Sequence, residues 1–126
     1  MKRDPDVVRN LLLALERDSE HNRFSSKELP EIPSVPPAVV LAHFSLLAEA
    51  GYLTRAIDQY GSSPRKDKYS ISWTGYDFLD SVRDDGIWAK TKDTARKAGG
   101  QTFEILVDVA KALISAKASE LLGVSA

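Results

Sequence analysis

The stretch Leu46-Leu47-Ala48-Glu49-Ala50-Gly51-Tyr52-Leu53 decides how the rest of the chain is read. An apolar helix end, a glycine and an apolar strand start follow one another with no spacer. Glycine takes the left-handed backbone that closes a helix without a steric penalty, so the helix ends here. Tyr52 and Leu53 then begin an extended segment that has to pack back on the helix just left.

Upstream of that junction, Val40, Phe44 and Leu47 recur at helical spacing with His43 beside them, which predicts a helix over residues 37–50 with Pro36 or Pro37 in its first turn. Before it, Pro30, Pro33, Pro36 and Pro37 forbid a long helix and a central strand. A short extended piece is expected near residues 24–26. Still earlier, Asp4 can cap a helix with Pro5 at its first position. Val7, Val8, Leu11, Leu12 and Leu15 then give one apolar stripe over residues 5–17.

Downstream, residues 52–60 and 68–73 read as strands joined by the turn chemistry of Gly61-Ser62-Ser63-Pro64-Arg65-Lys66-Asp67. Tyr69, Ile71 and Trp73 alternate with Ser70 and Ser72, so they are expected to face the core with Phe44 and Leu47. Thr74 is placed as the cap of a helix through Tyr76, Phe78, Leu79 and Val82. Asp85 starts another helix over residues 86–98, and Gly99-Gly100 stops it. Thr102 caps a last helix reaching about residue 122.

Helix, short strand, helix, two-stranded hairpin, helix is the order of a winged helix-turn-helix. In that fold the helix before the hairpin is the recognition helix and the hairpin is the wing. The expected fold is therefore mainly α with a small antiparallel β-hairpin. A winged-helix-like domain spans residues 1–84 and a C-terminal helical extension spans 85–126. The helix that normally precedes the recognition helix falls in the proline-rich segment, where it is either one turn long or missing.

Composition narrows the classes. The 126 residues are 43% hydrophobic and 28% charged, an ordinary globular mixture, so wholesale disorder is not expected. With no cysteine there is no disulfide or thiolate metal site, which fits a reducing, cytoplasmic setting. Asp4, Asp6 and Arg9 interrupt any signal-peptide pattern at the start. The most apolar stretch, residues 103–122, holds Glu104, Asp108, Lys111 and Lys117, which makes it a poor membrane span. Net charge is −1, against the basic excess usual in nucleic-acid binders. The one basic surplus is local: residues 51–73 carry four Lys/Arg against two Asp/Glu.

Several phrases together resemble a known family. They are Met1-Lys2-Arg3-Asp4 before a Val/Leu helix and His43 to Leu47 running into Ala50-Gly51. Trp73-Thr74-Gly75-Tyr76-Asp77-Phe78-Leu79-Asp80, Val82-Arg83-Asp84-Asp85 and Ile87-Trp88 followed by lysines complete the set. The chain resembles the bacterial and prophage family known as domain of unknown function 2513. The resemblance implies a winged-helix group in a bacterial or phage cytoplasm. It transfers no activity and assigns no catalytic or binding residue. The proline-rich approach to residue 37 is a departure that speaks against a normal second helix.

Catalysis finds little support. His21 and His43 lie in different elements, neither has metal-ligand spacing, and no nucleophile–base pair is visible. Asp77, Asp80 and Asp84 share a helix face, but no further oxygen-ligand pattern accompanies them, so they read as a solvated face. No enzyme activity, cofactor, metal or small-molecule ligand is expected.

The leading expectation is DNA binding or transcriptional regulation by a homodimer. The candidate contacts to double-stranded DNA are Arg55, Arg65, Lys66 and Lys68 on the wing, where cations can neutralise phosphates, and His43 and Ser45 on the recognition helix. That helix contains no Lys or Arg, and Lys90, Lys92, Arg96 and Lys97 form a second basic set. The alternative is a protein–protein interaction module that keeps the fold without binding nucleic acid. If the basic groups share one face with the helix over 37–50, DNA gains; if they scatter, the interaction module gains. In the last helix the apolar arc is wider than one buried stripe needs. Leu106, Val109, Leu113 and Ile114 are therefore the candidate dimer contacts.

Overall fold

The structure, a computed structural model, describes residues 2–19, 21–57 and 64–123; the side chains of residues 56, 57 and 64–67 lie outside this description. The elements in order are α1 (Pro5–Asp18), β1 (Phe24–Ser25), α2 (Pro37–Glu49), β2 (Leu53–Ile57), β3 (Pro64–Ile71), α3 (Trp73–Val82), α4 (Asp85–Lys97) and α5 (Phe103–Leu121). The chain is mainly helical with a small antiparallel sheet in the order β1-β3-β2. It divides into two compact units, Met1–Leu79 and Asp80–Ala126.

In the first unit, α1 buries the stripe its spacing predicted: Val7, Val8, Leu11, Leu12 and Leu15. Asp4 caps it, its side chain accepting from the Asp6 N–H at 2.9 Å. Val40, Phe44 and Leu47 of α2 are buried as the same periodicity required. The junction quoted above closes α2 with two bonds. The Tyr52 N–H donates to the Leu47 carbonyl and the Gly51 N–H to the Ala48 carbonyl, with Gly51 at φ +84°. This is a Schellman closure, and it turns the chain directly into β2.

The sheet register sets which side chains share a face. Phe24 and Arg55 both pair with Tyr69, and Leu53 pairs with Ile71. Directly opposite residues point the same way, so these five residues line one face. Phe24, Leu53 and Ile71 are buried there. Phe44 meets Tyr69 edge-on at 5.0 Å between ring centroids and Phe24 at 6.1 Å. An unforeseen clamp joins the loop before β1 to β3. The Asn22 side chain donates to the Ile71 carbonyl at 3.1 Å and accepts from the Ile71 N–H at 2.9 Å. Asn22 does this at φ +55°, a conformation asparagine tolerates better than most residues.

Two expectations need correction. Trp73 does not face the core: it is 90% exposed and starts α3 instead of ending β3. The reason is Ser72, which takes the capping role assigned to Thr74. Its hydroxyl accepts from the Gly75 N–H at 3.0 Å and donates to the Gly51 carbonyl, and its N–H donates to the Tyr52 carbonyl. Strand alternation therefore stops two residues before the tryptophan. Second, β3 begins at Pro64, inside the stretch read as a turn over residues 61–67; β2 covers Leu53–Ile57, and the predicted strand residues 58–60 lie outside the described residues. No helix separates β1 from α2 among the described residues, which is one of the two outcomes the prolines left open, a helix of one turn or none. The proline-rich segment forms turns only, with Ser34 at φ +66°.

In the second unit, α4 and α5 pack together. Asp84, one residue earlier than expected, caps α4 by accepting from the Ile87 N–H at 2.8 Å. Gly99 at φ +102° and Gly100 close it with a second Schellman pair, to Arg96 and Ala95. Thr102 caps α5 as read from the sequence. Trp88, Thr91 and Ala95 of α4 and Leu106 and Ala110 of α5 are buried. The Thr91 hydroxyl is buried without a hydrogen-bond partner.

Candidate functional site

The recognition-helix position is occupied by α2, and its outward residues are Ala38, Leu41, Ser45 and Glu49. Leu41 is 48% exposed. None of the four carries a cation or an amide, the groups that read base edges in a major groove. Of the two predicted contacts on this helix, Ser45 is exposed and His43 is not. His43 is 1% exposed, and both ring nitrogens are used. Nε2 accepts from the Asp4 N–H at 3.0 Å. Nδ1 lies 2.8 Å from the Val39 carbonyl. A backbone N–H can only donate and a carbonyl only accept, so the ring is the Nδ1-protonated tautomer. His43 thus ties α2 to the cap of α1, which corrects its assignment as a base contact.

Of the wing cations, Arg55 and Lys68 fall on opposite faces of the sheet. Arg55 stands on the inner face, its guanidinium 6.0 Å from the Tyr69 ring centroid, within the reach of a cation–π contact. Lys68 pairs with Ser25, one residue out of phase with Tyr69, and so belongs to the opposite face. Arg65 and Lys66 are backbone members of β3; their side chains lie outside the described residues.

The second basic set is largely engaged with its own helix. Asp93 accepts from Arg96 at 2.7 Å and pairs with Lys97 at 3.0 Å. Hydrogen bonds from Lys97 and then Arg96 hold its carboxyl below the usual aspartate range. Lys92 sits 5.5 Å from the Trp88 ring centroid. Of the three aspartates read as a solvated face, Asp80 pairs with Arg83 at 2.8 Å, Asp84 is the α4 cap, and Asp77 is exposed. Among the described residues no group of three or more His, Asp or Glu is placed to hold a metal ion.

The four residues assigned to dimerisation differ in exposure. Leu106 is 0% exposed and belongs to the chain's own core, so it offers nothing to a second copy. Val109 and Leu113 are half-buried, and Ile114 is exposed. Leu121 and Leu122, which the sequence reading passed over as a helix end, are each 78% exposed. Leu113, Ala116, Lys117 and Glu120 share a cleft of about 310 Å³ with Asp84, Ile87 and Lys90. An open groove of about 670 Å³ runs between the proline-rich segment and α2, lined by Leu29, Ile32, Val35 and Val40.

The chain is thus a mainly helical protein with a small three-stranded antiparallel sheet, on whose opposite faces Arg55 and Lys68 fall. The model of the family described as "Hypothetical protein (DUF2513)" matches residues 2–101, and the chain belongs to that family. The match ends just before α5. A protein of Haemophilus influenzae described as "Uncharacterized protein" is 34% identical over 119 residues, covering 91% of this chain and 97% of that one. No solved structure matches the chain. No helix among the described residues is long and apolar enough to cross a membrane.

Proposed function

We propose that this chain is a protein–protein interaction module on a winged-helix-like fold, and that α2 is not a reader of DNA. The observation that carries the reading is the outward face of α2: Ala38, Leu41, Ser45 and Glu49, with an exposed leucine at its centre and an acid at its end. Such a face suits apolar protein contact. Against a phosphate backbone it supplies no cation, and Glu49 repels. The split of Arg55 and Lys68 between two sheet faces points the same way. The reading assigns the chain no chemistry of its own.

Self-association through α5 belongs to the same proposal, with Ile114, Leu121 and Leu122 as its exposed apolar contacts. Sedimentation of wild type and Ile114→Glu at micromolar concentration tests it; a wild-type monomer would end it.

The test of the main reading is a titration with mixed-sequence duplex DNA at about 50 and 200 mM salt, where phosphate-driven binding would change steeply. No binding at the lower salt is expected. Binding that weakens with salt and is reduced in Arg65→Ala/Lys66→Ala would replace the interaction module with a wing-mediated DNA contact.

A further inference from the structure

The end of α1, the loop after β1 and the outer side of the β1–β3 pair meet around a cleft of about 310 Å³. That volume is at the small end of the range for ligand clefts. Leu15, Phe24 and Pro30 give it an apolar wall, and Arg23 and Lys68 line it as well. Each of the two cations directly precedes a member of the Phe24–Tyr69 pair, so both fall on the sheet face opposite that pair. On an antiparallel ladder such positions are diagonal neighbours, about 7–8 Å apart, close enough for two long side chains to bring their charge to one point.

Nothing in the chain neutralises these charges. Arg23 is exposed and Lys68 half-buried, and among the described residues neither side chain enters a hydrogen bond or an ion pair. Two neighbouring cations repel, and an anion shared between them removes that cost. The carboxylates at hand do not serve. Asp18 lines the cleft but is held by Arg17, whose guanidinium donates to its two oxygens at 2.9 and 3.3 Å. Glu28 lines the cleft too and, among the described residues, is paired with neither cation. The carbonyl end of α1 opens on the same space through Leu15, Asp18 and Ser19, and such helix ends carry partial negative charge. The cleft therefore offers both signs of charge beside an apolar wall. A polyanion would meet Asp18, Glu28 and the helix end, whereas a zwitterion finds a partner for each of its charges.

We propose that this cleft binds a free α-amino acid, its carboxylate held by Arg23 and Lys68 and its ammonium by Glu28 and the carbonyl end of α1. A guanidinium matches a carboxylate at two points, which fixes orientation as well as charge. The site goes beyond the interaction-module reading and does not depend on it.

The test is nuclear magnetic resonance of the isotope-labelled full chain, titrated with each of the common α-amino acids in turn. At least one should give saturable shifts at the amides of Arg23, Ser25 and Lys68 while those of α4 and α5 stay in place. Arg23→Gln and Lys68→Gln should each weaken that ligand about ten-fold, as for the loss of a charge-assisted hydrogen bond. Glu28→Gln should weaken the amino acid but leave unchanged the weaker binding of the acid that lacks its amino group. All three side chains are exposed or half-buried, so circular dichroism should show the variants folded as wild type. No saturable shift with any amino acid, equal affinity for an amino acid and its amide, or binding unchanged in all three variants would overturn the site. Inorganic phosphate or duplex DNA that shifted the same amides at lower concentration than any amino acid would make the cleft a phosphate contact and overturn it as well.

Discussion

Helices α2 and α5 have similar compositions and opposite fates. Each is mostly Ala, Val, Leu and Ile, and each has an apolar arc too wide for one buried stripe. In α2, Val40, His43, Phe44 and Leu47 are buried, and Leu41 is the one large apolar side chain left exposed. In α5 only Leu106 and Ala110 are fully buried, while Ile105, Ile114, Leu121 and the C-cap Leu122 are exposed. The difference lies in the neighbours. Elements of its own unit pack on α2 from several sides: α1 and β2, and β1 and β3 through Phe44. In the second unit, the 19 residues of α5 pack on the 13 residues of α4, about 9 Å shorter at 1.5 Å per residue. An apolar arc states that burial is favourable; it does not state what is available to do the burying.

The sharpest way to break this comparison is at its two ends. Phe44→Ala removes a ring that meets Phe24 and Tyr69 edge-on. It should cost about 3–5 kcal/mol, read as a fall in the urea midpoint. If it costs under 1 kcal/mol, α2 is not the packing centre described here.

Next in size is His43→Leu, which keeps the volume apolar but removes the part-buried hydrogen bond from the Asp4 N–H. Loss of that bond should cost about 0.5–1.5 kcal/mol. Amide exchange near the start of α1 should speed up more than exchange in α5. Equal acceleration in both would show that His43 is a general packing residue and not a specific tie to the α1 cap.

Leu121→Ser should fall within about 0.5 kcal/mol of wild type in the monomer, as expected for an exposed position. Any larger effect should depend on protein concentration and appear in sedimentation. A concentration-independent loss as large as that of Phe44→Ala would mean that α5 is covered after all, and the contrast between the helices would collapse.

The smallest effect concerns α4. The Asp93 carboxyl is held below its ordinary range by hydrogen bonds from Lys97 and Arg96. A depressed carboxylate contributes stability that is present above the unfolded pKa and disappears as pH falls through the folded value. The melting temperatures of wild type and Asp93→Asn should therefore differ slightly near neutral pH and converge below the usual aspartate range. The pairs lie at the surface, so added salt should shrink the difference as well. A difference that grows on acidification would contradict this sign.

Much of the fold was legible before any coordinates. Helical spacing located the stripes of α1 and α2, and Asp4 and Thr102 were recognisable as caps. Gly51 and Gly99 marked helix ends, and the prolines before residue 37 argued against an ordinary second helix. The candidate contacts were less legible. Trp73 was misplaced because strand alternation runs on past the point where the Ser72 hydroxyl starts a helix. Serine directly before a helix is a known capping signal, and giving it precedence over alternation would have exposed the indole. Asn22 had a weaker signal, its tolerance of left-handed backbone, and its partner Ile71 is 49 residues away.

The sequence by itself determined the local structure: where helices start and stop, which stripe each one must bury, and the order that suggests a winged helix. Those properties depend on backbone sterics and on spacing within a few residues. Only the tertiary structure decided the surface. It buried His43 between the cap of α1 and the carbonyl of Val39, and put Arg55 and Lys68 on opposite sheet faces. It also turned Trp73 outward and left the end of α5 uncovered. Each of these outcomes depends on which distant segment supplies a hydrogen-bond partner or a covering side chain, and local periodicity carries no information about that.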